Sequence, residues 1–134
     1  MIVSFLSFDD EKNKVFFQTE AIQKENEIWF EDKSCSNTKI KLTLLESSLV
    51  LERFGFIEMH LHFDLDKVTI GSFKNEDGVC FDFFVRTIDL SLGKNKFKVK
   101  YEMIMDDEIL SCHSFQLTFF EKREQNINFK QNYQ

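Results

Sequence analysis

Residues 79–120 read VCFDFFVRTIDLSL, GKN, KFKVKYEMIM, DDE and ILSCHSFQLTFF, which is three long alternating segments joined by short polar turns. Ile88, Leu90 and Leu92 alternate with Asp89 and Ser91. Phe97, Val99, Tyr101, Met103 and Met105 alternate with Lys98, Lys100 and Glu102. Period-two patterning over this length predicts antiparallel strands with one face on a core.

Working toward the N-terminus, the same pattern recurs in shorter pieces. Strands are predicted at 2–8, 15–22, 27–32, 39–45, 49–54, 57–65 and 67–73, with helix-friendly residues in the second half of 15–22. The polar segments DDEKNK, SCSNT and KNEDG separate several of them. Leu49 and Leu51 share the apolar face of Ile57, Met59, Leu61, Phe63 and Leu65 only if the connection uses about three residues, and this turns Arg53 inward as well. Gly55 is expected to supply a positive φ in that turn. Roughly ten strands with scarcely a helix must close or stack, so an all-β barrel or sandwich is expected. Residues 1–120 form this β-barrel domain, and 121–134, EKREQNINFKQNYQ, are a polar tail expected to be loosely attached.

Length and composition narrow the function classes. The chain's 134 residues suit one domain, and 43% hydrophobic with 30% charged residues suits a soluble globular protein. Its apolar runs are too short for a spanning helix, so no membrane partner is expected. The opening MIVSFLSFDDEKNK has neither a basic n-region nor a small-residue cleavage site, and the expected address is cytoplasmic. A formal net charge of −6 with dispersed Lys and Arg argues against nucleic acid. Cys35, Cys80 and Cys112 are an odd number without CxxC spacing and read as reduced thiols. Phe 17 with Pro 0 and Gly 4 matches AT-rich codon supply, so abundant phenylalanine is not by itself a binding surface.

From Lys39 to Phe119 the chain resembles the YwiB-like family, small bacterial proteins of unknown function with a calycin-like β-barrel. The resemblance is carried by LVLERFG at 49–55, EMHLHF at 58–63, Asp77-Gly78 opening a long strand, RTIDLSL at 86–92 and KVKYEMIMDDEILSCHSFQLTF at 98–119. Two turns depart from the family pattern. Glu76-Asp77-Gly78 stands where a Thr-Pro-containing turn is usual, and Asp106-Asp107 where an Asn-Gly-like turn is usual. The resemblance implies a single up-and-down, lipocalin-like barrel of about eight to ten strands, and it brings no established ligand with it.

Candidate site residues are the polar groups expected inside such a barrel. Apolar parity in residues 81–92 is odd through Phe81, Phe83 and Val85 and even from Ile88, so a β-bulge is expected around Arg86-Thr87. Matching faces across the turn at Gly93 pairs Leu92 with Phe97, Leu90 with Val99, Ile88 with Tyr101 and Arg86 with Met103. In the last hairpin a three-residue loop places His113 beside Tyr101, whereas a two-residue Asp106-Asp107 turn with a bulge between Ser111 and Ser114 places Cys112 there. Arg53, Arg86, Tyr101 and His113 are therefore the candidate lining of a site for a small anionic or amphipathic ligand, arginine offering a bidentate partner to a carboxylate or phosphate. The alternative is a filled barrel in which each arginine pairs with an acid or lies at a rim, the domain serving structure or protein–protein interaction.

No cofactor, metal site or catalytic constellation is read, and an enzyme is not expected. His60 and His62 lie on the polar face of their strand with no third ligand nearby in sequence. Cys112 and His113 point to opposite faces as strand neighbours and cannot act as nucleophile and base. Phe16-Phe17, Phe83-Phe84 and Phe119-Phe120 place large rings on both faces of their strands. The outward ones call for a cover, and a homodimer is expected.

Overall fold

A computed structural model describes residues 1–121. Ten strands follow in chain order: β1 Ile2–Asp9, β2 Lys14–Lys24, β3 Glu27–Glu31, β4 Lys39–Leu44, β5 Leu49–Phe54, β6 Glu58–Phe63, β7 Thr69–Lys74, β8 Cys80–Leu92, β9 Lys96–Met105 and β10 Glu108–Phe120. Each pairs antiparallel with its chain neighbours, and β10 returns to pair with β1, closing an up-and-down barrel. No helix occurs among the described residues. The ambiguous second half of residues 15–22 is strand. The expected tail, apart from Glu121, lies outside the described residues.

The closing seam runs from Ile2↔Phe120 to Asp9↔His113, and its inward positions are Val3 and Phe5 against Phe119, Leu117 and Phe115. Around the barrel, the inward residues of each strand are those whose alternation marked them as apolar: Ile28 and Phe30, Ile40 and Leu42, Leu49 and Leu51, Leu61 and Phe63, Phe97 and Val99 are all buried. Ile57 and Leu65, at the ends of the predicted sixth strand, are exposed.

Inside, aromatic rings meet. Phe5 stacks on Phe17 at 5.0 Å and on Phe115 at 6.0 Å, Phe115 meets the edge of Phe63 at 5.5 Å, and Phe63 lies 4.8 Å from Tyr101. Each such pair adds about 0.5–1.5 kcal/mol to the burial of the rings themselves. The barrel's middle is thus built of its own side chains.

The β6–β7 ladder has only three pairs, Glu58↔Lys74 to His60↔Ser72. Two buried threonines stitch the wall beyond it. The Thr69 hydroxyl donates to the His62 carbonyl, and Thr87 Oγ1 accepts the Asp64 N–H at 3.1 Å. Thr87 is therefore an inward polar residue with a structural partner, which is what a buried hydroxyl requires.

Two turns differ from expectation in their chemistry. The β5–β6 register, Leu49↔Phe63, Leu51↔Leu61 and Arg53↔Met59, is that of the three-residue connection. Gly55, however, does not take a positive φ; Gly78 does, at 84°. Gly55 is needed because a Cβ there would lie 2.5 Å from Thr38 Oγ1. In the β9–β10 hairpin, Glu108 pairs with Met105 across Asp106-Asp107, whose φ values are 53° and 62°. Two consecutive positive φ values make a two-residue turn of the primed kind, for which Asp is among the suited residues.

Candidate functional site

Arg53, the last residue but one of β5, takes the inward face, as the three-residue connection requires. Its Nη2 lies 2.8 Å from Asp32 Oδ2 and donates to Cys35 Sγ at 3.0 Å. Asp32 is held by the loop between β3 and β4: its N–H donates to the Thr38 carbonyl, and its Oδ1 accepts the Ser34 N–H at 2.9 Å and the Ser34 hydroxyl. The Asp32 side chain is only 5% exposed against 26% for Arg53. The arginine is thus neutralised by an acid of its own chain. Its Nε remains buried and without a hydrogen-bond partner among the described residues.

Tyr101 is buried, and His113 stacks on it at 5.2 Å. Burial pushes the Tyr101 hydroxyl well above the ordinary phenol value, with the Arg53 charge pulling weakly the other way. His113 shares a hydrogen bond with the Ser111 hydroxyl at 2.8 Å. Burial holds the His113 imidazole below its ordinary value, against the opposing charges of Asp10 and Asp9. The register that pairs His113 with Tyr101 arises from a two-residue turn combined with an irregularity between Ile109 and Ser111. The shift falls one step earlier than the two-residue alternative required, and it brings His113 to Tyr101 rather than Cys112.

Arg86 is a correction. It was expected to face inward across from Met103. Instead Val85 pairs with Met103, Arg86 with Glu102 and Thr87 with Tyr101, and the register shift lies between Thr87 and Asp89. The bulge exists, but Arg86 precedes it and keeps the outward parity. Its Nε donates to Glu102 Oε1 at 2.7 Å, and its Nη2 bonds the same oxygen. On that outer wall Cys112 Sγ lies 3.8 Å from Glu102 Oε2, and burial with the Glu102 and Asp10 carboxylates pushes its thiol up, opposite to what a nucleophile needs. His60 faces Glu52, its Nδ1 3.7 Å from the carboxylate, while His62 shares a 3.0 Å hydrogen bond with Ser48.

Of the four candidate residues, then, Arg53, Tyr101 and His113 belong to the interior and Arg86 does not. None of the three lines either of two open depressions at the ends of the barrel. One, about 680 Å³, runs along the β3–β4 loop past Cys35, Thr38 and Gly55. Another, about 630 Å³, opens at the other end of the barrel around Ile28, Leu44, Phe97 and Phe119.

The outer wall shows what surrounds the outward ring of the Phe83-Phe84 pair, which the sequence marked as needing a cover. Ile70 pairs with Phe84, Phe84 with Ile104 and Ile104 with Ile109, so four apolar side chains lie in one cross-strand row on β7 to β10. Ile70, Phe84 and Ile109 are 63%, 50% and 53% exposed. Their signal was present: Phe84 and Ile104 are apolar residues on the parity that Asp82, Arg86, Lys100 and Glu102 mark as outward. Phe16, the outward member of its pair, is exposed too.

Comparison with known proteins adds a family. The profile described as Domain of unknown function (DUF1934) matches residues 4–117. Among solved structures, the chain is similar to the ywiB protein from Bacillus subtilis, with 18% identity over 90% of this chain and 89% of that one and a TM-score of 0.57. At that identity the likeness speaks for the fold alone. No curated protein matches.

The two arginines are expected to separate in stability. Replacing Arg53 by Met strands the buried Asp32 carboxylate and should cost about 2–3 kcal/mol. Arg86→Met removes a half-exposed pair and should cost no more than about 1 kcal/mol. Urea unfolding of both variants checks this. His113 predicts a pH dependence. Its folded value lies below the unfolded one, so the stability it confers is complete above about pH 6.5 and is lost as pH falls through the folded value. Urea midpoints across this range should fall on acidification, and His113→Gln should flatten the fall.

Proposed function

The chain belongs to the family described as Domain of unknown function (DUF1934), and we propose that it acts as a protein-binding barrel that works through its outer wall. In this reading the interior is scaffold and the chain performs no chemistry of its own. The observation that carries it is the row Ile70, Phe84, Ile104 and Ile109, of which Ile104 is half-buried and the other three exposed. Contiguous exposed apolar surface bordered by charge is what interaction sites are made of, whereas scattered apolar residues are ordinary. The unpaired cysteines, two of them exposed, favour a reducing compartment such as the cytoplasm. The acidic net charge favours protein over nucleic-acid partners.

A second reading has one observation in its favour. The buried Nε of Arg53, without a hydrogen-bond partner among the described residues, is a donor that a small anionic or amphipathic ligand could take up, with Tyr101 and His113 nearby in the interior. The Asp32 carboxylate already answers the Arg53 charge, and the rings of Phe63 and Phe115 occupy the space beside Tyr101. Kinship with lipocalin-type carriers rests on fold alone and does not supply a ligand. The outer wall is the stronger case.

A photo-crosslinking side chain placed at position 84 tests it. We expect a saturable adduct of defined mass from position 84 and none from the outward Lys98. Equal labelling at both positions, or none at either, contradicts the reading.

A further inference from the structure

We propose that the occupant of the outer row is a second copy of this chain, packed face to face about a two-fold axis that lies between the two walls, runs along the row at right angles to the strands and passes at Phe84. This rests on the outer wall being a binding surface, and it names the partner. The reason is how charge is distributed about the row. On β8, outward neighbours of Phe84 lie two residues away on either side, about 7 Å along the strand. One is Arg86, with Glu102 beside it across the ladder; the other is Asp82, with Ser72 beside it. One border of the row is therefore headed by a cation and the other by an acid.

That axis exchanges those borders. Each copy's Arg86 then lies over the partner's Asp82, while Phe84, Ile70 and Ile104 each meet their own counterparts. An axis along the strands would instead put like charge over like. The acidic border also has a shape to match. A depression of about 330 Å³ is floored by Phe83, Phe84, Ile104 and Met105 and bordered by Asp82 and Asp106. A floor of apolar atoms beneath two carboxylates suits a guanidinium on an aliphatic stem. The Arg86 side chain is 49% exposed and holds Glu102 through one oxygen, leaving a donor-rich edge for another acid. A self-complementary patch with opposite charges on its two borders is the form an isologous interface takes. Stacked sheets at about 10 Å bring such side chains into reach.

The test is a charge exchange read by sedimentation velocity across micromolar to hundreds of micromolar concentrations. The wild-type chain should dimerise. Phe84→Ser should give monomer. Arg86→Glu and Asp82→Arg should each raise the dimer dissociation constant about tenfold or more, and the two together should restore most of it, because the pairs reform with signs reversed. All three positions are outward, and circular dichroism confirms that each variant is folded. A monomeric wild type overturns the proposal while leaving the row to a different partner. A dimer that survives Phe84→Ser overturns it together with the reading of the outer wall. A dimer lost with Phe84→Ser but not rescued by the double reversal overturns the two-fold arrangement alone.

Discussion

Filling the barrel is the constraint on which the rest of this structure depends. Ten strands enclose a wider interior than eight, and the width must be taken up by side chains if no ligand or water is to occupy it. Here phenylalanine does most of that. Phe5, Phe17, Phe30, Phe63 and Phe115 meet ring against ring across the middle, with Tyr101 joined to them through Phe63 and Phe115. The abundance of phenylalanine does not by itself set its placement, since Phe63 is fully buried while Phe16 and Phe84 stand outside.

Once the middle is closed, polar inward residues must be accommodated by protein groups. Thr69 and Thr87 are spent on bonding the wall where the β6–β7 ladder runs out. Arg53 turns to a loop carboxylate, and His113 leans on Tyr101 with Ser111 as its hydrogen-bond partner. None of these needs a ligand to explain its position, apart from the Nε of Arg53. Among the apolar groups left outside, which also include Phe16, Ile22 and Phe56, those from Ile70 to Ile109 line up in one cross-strand row. Function is sought there for that reason, and not because of any likeness to a characterised protein.

Much of the fold was legible because alternation is a strong signal when one face is buried. The register of β5 against β6 followed from four inward side chains, since a one-residue slip would have set Leu49 and Leu51 against His62 and His60. The bulge in β8 was legible from its parity change, but its position was not. Thr87 is inward and polar, so it hid the continuation of odd parity past Val85. Ile88, apolar but at the bulge and exposed, suggested that even parity had already begun. Arg86 was misplaced by that interval. The partner of Arg53 was beyond reach for a different reason: Asp32 comes from a loop 21 positions earlier, and no periodicity reports on where a loop carboxylate settles. The outward ring of the Phe83-Phe84 pair was legible as needing a cover, but the row it forms with Ile70, Ile104 and Ile109 was not, because their cross-strand register had not been worked out on the outer face.

The central claim is that the barrel is filled by its own side chains and binds through its outside. Native mass spectrometry of the protein as isolated from cells tests it most directly. The account predicts masses of the bare chain and of its complexes with protein, with no small molecule retained. A stoichiometric small-molecule adduct that disappears when Arg53 is replaced by Met, in a variant shown to be folded, would contradict it.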